Sequence, residues 1–148
     1  MTANPALNGA WLRLLGLIAL FALGACIPQD PDGTTEAVEG RTLRVGALVE
    51  PLDAVDANAV ARIAAGFGAA PEILRDDPHA LVAMVEDGRI HLLVGDLPDT
   101  TPFKRRIALS APLGEVDVAG KREKRVVGLR KGENRFLVRI NKALEELR

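Results

Sequence analysis

The stretch Ile90-His91-Leu92-Leu93-Val94-Gly95-Asp96-Leu97 constrains the fold more than any other part of the chain. It is apolar on both faces, too short for an ordinary core helix, and preceded by a Gly88 stop. A strand apolar on both faces must be covered on both, as in a parallel sheet layered with helices. The flanking segments supply the alternation such a sheet needs. Leu43, Val45, Ala47 and Val49 recur with a strand period, and Pro71–Arg75 reads as a short second strand. Between them Asp56 can cap a helix over Ala57–Gly66 with Val60, Ala64 and Phe67 on one stripe. Asp77-Pro78 marks a second helix start, a cap followed by proline in the first turn, and that helix runs through Leu81, Met84 and Val85 to Gly88. Ile107–Leu109 and Val126–Leu129 are short strand candidates, and Glu133–Arg148 is a helix striped by Phe136, Ile140, Leu144 and Leu147.

The order βαβαβ–β–β–α implies an α/β class: one open, mostly parallel sheet with helices on both faces. Right-handed crossovers place the first three strands in the order 2-1-3. The expected core is Val45, Val60, Ile63, Phe67, Leu81, Val85, Leu92, Val94, Ile107, Val127, Phe136, Ile140 and Leu144. The basic run Lys121–Arg125 reads as a solvated loop before a strand.

The N-terminus is of a different kind. Arg13 precedes the apolar run Leu14–Leu23, and no acid occurs before Asp30. About 20 residues are needed to span a bilayer, so this run suits a signal peptide better than a transmembrane helix. It ends in Leu23-Gly24-Ala25-Cys26, which resembles a lipobox, where a diacylglycerol joins the thiol and the chain is cut before the cysteine. The expected organisation is a signal peptide over residues 1–25, a lipidated flexible tether over 26–42, and a single α/β lobe over 43–148. A 16-residue coil from 27 to 42 would reach about 20 Å. Ile27 after the cysteine, rather than an aspartate, favours the outer membrane in a Gram-negative cell, with the domain on the periplasmic side.

Cys26 is the sole cysteine, so a lipidated chain has no disulfide and relies on an ordinary core. One of the 19 basic residues, Arg13, falls in the signal, leaving 18 against 20 acids. That balance does not suggest a nucleic-acid partner. His79 and His91 have no companion at metal-ligand spacing, and Ser110 has no histidine at triad spacing. No metal, cofactor or catalytic residue is expected, and the chain is not read as an enzyme.

Four segments in order carry a family resemblance. These are Leu43-Arg44-Val45-Gly46, Leu81–Gly88 followed by Arg89–Gly95, Thr101-Pro102 to Pro112-Leu113, and Val127–Asn134 followed by Phe136–Leu147. Together, over about residues 41–148, they resemble family 3 extracellular solute-binding proteins, the amino-acid-binding components of ABC importers. The resemblance implies two α/β lobes clamping a ligand, a returning strand placed antiparallel between strands 3 and 4, and partnership with an ABC permease. Two departures stand out. From Leu113 only about ten polar residues lead to Val126, where a second lobe of ~100 residues would stand. The family's carboxylate-holding arginine falls near Phe103 or Lys104, with Arg105 beside it. Its aspartate before the third strand is His91, and the stacking aromatic after the first strand is replaced by Glu50-Pro51-Leu52-Asp53.

In an open α/β sheet ligands bind at the carboxyl ends of the strands. The candidate ligand-binding residues there are Glu50, Asp96, Thr100, Thr101, Lys104 and Arg105, with Asp99 nearby. Asp96 would face an amine and Lys104 or Arg105 a carboxylate of a small amino-acid-like solute. The expected function is a membrane-anchored lipoprotein with a truncated solute-binding domain, working with amino-acid or small-solute uptake by an ABC transporter. The alternative is a structural or protein-interaction envelope lipoprotein that has lost its solute. An uncovered carboxyl-end face would meet a permease, another envelope protein or a second copy through Glu50–Asp53 and Asp96–Lys104, anchored by Leu52, Leu97, Pro98 and Phe103. Otherwise residues 113–125 fold over that face and seal it.

Overall fold

The computed structural model describes residues 27–147. The expected signal peptide, residues 1–25, and Cys26 lie outside them. Strand β1 (Thr42–Ala47) is the first of a five-stranded sheet and runs parallel to β2 (Ala70–Leu74) and β3 (Leu92–Val94). The spatial order begins 2-1-3, as right-handed crossovers require. Strand β7 (Gly128–Leu129) lies antiparallel between β3 and β4 (Ala108–Leu109), with Leu129 opposite both Leu92 and Ala108. The sheet is thus mostly parallel, with the one reversed strand in the predicted place.

β3 is shorter than the apolar run suggested. Gly95 and Asp96 take positive φ of 110° and 51° and turn the chain off the sheet. A side chain at Gly95 would come within 2.9 Å of the Val49 amide nitrogen, so glycine is required by space as well as by backbone.

Helices cover both faces. α2 (Ala54–Phe67) and α4 (Asn134–Leu144) pack on one, joining Leu43, Val45, Leu92, Val94, Val127 and Leu129 in a single core. The Phe67 and Phe136 rings meet across it at 5.1 Å. On the other face α3 (Pro78–Glu86) puts Leu81, Val82 and Val85 against Ile90, Leu93, Ile107 and Val126. Every residue of the expected core is buried.

α3 starts at Asp77, whose carboxylate accepts from the His79 and Ala80 amides. α2 starts earlier than its pattern suggested. Asp53, not Asp56, is the cap, accepting from the Asp56 amide at 2.9 Å. Asp56 then falls in the first turn, fully buried, with its carboxylate free for other partners.

Two segments depart from expectation. Residues 27–42 are not a loose tether. From Gln29 onward they dock on the lobe and form a short helix, α1 (Thr34–Val38), with Thr35 and Val38 buried. The cause is a set of capping contacts that no local composition reveals. The Gln29 carbonyl and the Asp30 carboxylate accept the first amides of α4, and the Glu133 carboxylate accepts from Asp32 and Thr34. The basic run Lys121–Arg125 is not a solvated loop either. It is strand β6, paired antiparallel with β5 (Gly114–Val118) across an Ala119-Gly120 turn with positive φ at both residues. This ribbon occupies the chain between Leu113 and Val126.

Candidate functional site

The carboxyl ends of β1 and β3 carry a cluster of three aspartates around one arginine. The loop after β1 delivers Asp53 and Asp56 at the start of α2, and the turn after β3 delivers Asp96. The base of the ribbon delivers Arg125. Its Nη1 donates to Asp53 Oδ2 at 2.7 Å and to Asp56 Oδ2 at 2.8 Å, and its Nη2 donates to Asp96 Oδ1 at 2.8 Å. Asp56 Oδ2 also accepts from the Asp96 amide at 2.9 Å. The planar fork of the guanidinium spreads these three contacts over two nitrogens, a geometry that a lysine ammonium does not have.

Burial sets the electrostatics. Asp56 is wholly buried, and desolvation raises its pKa, opposed by the Asp96 amide and by Arg125. Asp53 is 43 % exposed; the smaller desolvation penalty is outweighed by the Asp56 amide and Arg125, so its pKa falls. Desolvation disfavours the Arg125 cation, but the surrounding carboxylates more than offset it and its pKa rises. Asp56 Oδ1 and Arg125 Nε are buried with no hydrogen-bond partner among the described residues. The three carboxylates lie within 4.8 Å of one another, a spacing that suits a cation, and the Arg125 guanidinium is the cation placed there.

The ribbon is stitched to this rim. The Asp99 amide donates to the Lys124 carbonyl, the Val126 amide to Leu97, and Thr100 hydrogen-bonds to Glu123. Leu97 is thereby only 2 % exposed and packs in the core, so it is not the surface anchor expected. Phe103 is half-buried, edge-on to the His79 ring at 5.4 Å. The base of the ribbon, Glu123–Arg125, lies against this rim, while Glu115, Asp117, Lys121, Arg122 and Lys124 stay exposed.

The six expected ligand residues do not converge. Asp96 is engaged by Arg125, and Glu50 forms an exposed ion pair with Arg75 at 2.7 Å. Thr100 bonds to the ribbon, and buried Thr101 caps the 3-10 turn Pro102–Arg105. That turn carries the chain back toward the amino end of the sheet, where the Arg105 carbonyl accepts from Lys131. Asp96 and Arg105 are therefore not brought together as amine and carboxylate holders. Arg125, the centre of the cluster, was missed. The signal lay in two five-residue stretches flanking Ala119-Gly120, which outline a hairpin and set Arg125 at its base.

His91 sits at the opposite end of the sheet. Its Nδ1 accepts from the Arg44 amide at 3.0 Å, and burial followed by the Arg44 charge lowers its pKa to about 4. With Arg41, Thr42, Glu72 and Ala37 it borders a shallow cavity of about 310 Å³.

No protein-family model and no curated protein sequence matches the chain. Solved structures do. The arginine-bound form of domain 1 from TmArgBP is 22% identical, with a TM-score of 0.60 over 71% of this chain and 92% of that one. An amino-acid ABC transporter substrate-binding protein from Streptococcus pneumoniae, bound to L-arginine, has a TM-score of 0.64 at 13% identity over 77% of this chain and 91% of that one. A Salmonella typhimurium periplasmic binding protein of high arginine specificity has 0.59 at 12% identity, over 72% and 93%. These neighbours are binding proteins, and the first is a single domain. The chain has the fold of one lobe of the periplasmic amino-acid-binding proteins.

Proposed function

We propose that this chain is a lipoprotein on the periplasmic side of the cell envelope, anchored through Cys26, whose single solute-binding lobe serves amino-acid or small-solute uptake by an ABC transporter. The observation that carries the reading is the match to an isolated, arginine-bound domain over nearly its whole length. One lobe of this fold holds an amino acid in that protein, so a second lobe is not a precondition for binding. The LGAC ending of the apolar run supports the anchor. Thermal melting of the protein against a panel of amino acids tests the solute. Ligand at 100 times its Kd stabilises by about 2.7 kcal/mol, and a flat panel would refute solute binding. Intact-mass analysis tests the anchor: mature protein begins at acylated Cys26, and Cys26→Ser abolishes lipid labelling.

The second reading is an interaction or structural lipoprotein that keeps the lobe as a scaffold. One observation favours it: Arg125 already holds the three carboxylates to which a cationic solute would turn. A flat amino-acid panel together with a specific envelope-protein crosslink from the ribbon would establish this reading over the first.

A further inference from the structure

We infer that the amino end of the sheet, beside the N-terminus of α4, is a membrane-contact face that rests on anionic lipid headgroups, so that the Arg125 cluster points away from the bilayer. The inference rests on lipidation of Cys26, and adds to it a fixed orientation.

Three observations place the face. First, the docked chain begins almost at the cysteine. The Gln29 carbonyl accepts from the Asn134 amide at 3.1 Å, and the Asp30 carboxylate accepts from the Phe136 amide at 2.9 Å. From Cys26 to Gln29 is three residues, a reach of at most about 10 Å. A lipid on Cys26 therefore holds the start of α4 against the headgroups, where a 16-residue coil would have let the lobe swing.

Second, Ile27, next to the cysteine, is 69 % exposed. An isolated apolar side chain beside an acyl anchor gains by entering the lipid interface.

Third, two exposed cations, Arg105 and Lys131, lie close to that point. Arg130 pairs with Asp32 at 3.1 Å and Arg135 pairs with Glu36, but Arg105 and Lys131, joined through the Arg105 carbonyl, are exposed and make no salt bridge among the described residues. The Glu133 carboxylate is buried against the Asp32 and Thr34 amides, and the Asp30 carboxylate is engaged by Thr35 and Phe136, so neither acid pairs with these two cations. Exposed cations without a salt-bridge partner, within a Debye length of an anionic bilayer, are attracted to it.

β1 and β3 run parallel away from this end, so the cluster at their carboxyl ends stands about 20 Å further out, where a soluble partner or solute has access.

The test uses full-length acylated protein in nanodiscs. Acylation blocks the only native cysteine, so an engineered one is the single labelling site. A dye is placed at Asn134→Cys beside the anchor, or at Ala57→Cys in the first turn of α2 at the opposite end. Quenching by a headgroup-labelled lipid is read in discs with 30 mol% (about one-third) phosphatidylglycerol and in discs without it. The expected result is quenching several-fold stronger at position 134 than at 57, reduced toward equality by Arg105→Glu with Lys131→Glu or by removing the anionic lipid. Equal quenching at both positions, on protein whose mass shows acylated Cys26, overturns the orientation and leaves the anchor standing. A strong difference unaffected by lipid charge or by the two substitutions overturns the headgroup contact. An unacylated Cys26 overturns the anchor and this inference together.

Discussion

Asp30 and Glu133 cap each other's helices. The Asp30 carboxylate accepts from the Phe136 amide in the first turn of α4, and the Glu133 carboxylate, at the N-cap of α4, accepts from the Thr34 amide at the start of α1. Glu133 thereby caps the helix of its partner, and Asp30 caps both, since its other oxygen accepts from the Thr35 amide in α1 at 3.1 Å. The exchange locks residues 29–38 onto the lobe.

Removing either acid should loosen the same dock. Glu133→Ala leaves two amides without their acceptor, one of them buried, and should cost about 1–3 kcal/mol. Asp30→Ala leaves the Phe136 amide and the amide and hydroxyl of buried Thr35 without their acceptor, and should also cost about 1–3 kcal/mol. The double variant should lose less than the two costs added, because either change alone frees the segment. Urea denaturation of all three proteins measures this.

Arg125→Ala should be among the most damaging single changes, at about 3–5 kcal/mol, because wholly buried Asp56 loses its counter-charge. Arg125→Lys should recover only part, since the ammonium lacks the planar fork by which Nη1 meets Asp53 and Asp56 while Nη2 meets Asp96. Asp56→Asn in the Arg125→Ala background should restore stability. Methylguanidinium should raise the melting midpoint of Arg125→Ala above that in equimolar sodium chloride, and leave the wild type unmoved.

His91 sets a pH dependence of definite sign. It is buried and neutral, with its pKa lowered to about 4 from 6.5. Between those values the unfolded chain binds the proton and the folded chain does not, so stability is full above 6.5 and falls as pH drops toward 4. The loss should reach up to about 3 kcal/mol. His91→Gln should flatten this slope in denaturant midpoints taken from pH 7 to pH 4. The raised Asp56 opposes this loss at pH values above the ordinary aspartate pKa, and the lowered Asp53 adds further loss below it.

Gly95→Ala should destabilise by about 1–3 kcal/mol, because φ is 110° and the new methyl meets the Val49 amide. It should also displace Asp96 from Arg125. Gly120→Ala, with positive φ but nothing within 4 Å, should cost less. Paired thermal melts separate the two.

The sequence alone determined the layered α/β architecture. Ile90–Leu97 had to be covered on both faces, and the stripes through Val60, Phe67, Leu81, Val85, Phe136 and Ile140 had to cover it; burial of apolar area depends on periodicity, which a linear reading contains. The 2-1-3 strand order followed from handedness, and the reversed strand from the family resemblance. Only the tertiary structure decided the rest. Arg125 and Asp56 are 69 residues apart, and Gln29 and Asp30 reach α4 more than 100 residues away. A charged residue in a polar stretch looks solvated until a distant carboxylate takes it out of water. A polar segment looks loose until a distant helix end needs its carbonyls. Hydrogen bonds and ion pairs are directional and depend on which groups the fold brings within 3 Å, and composition carries no trace of that.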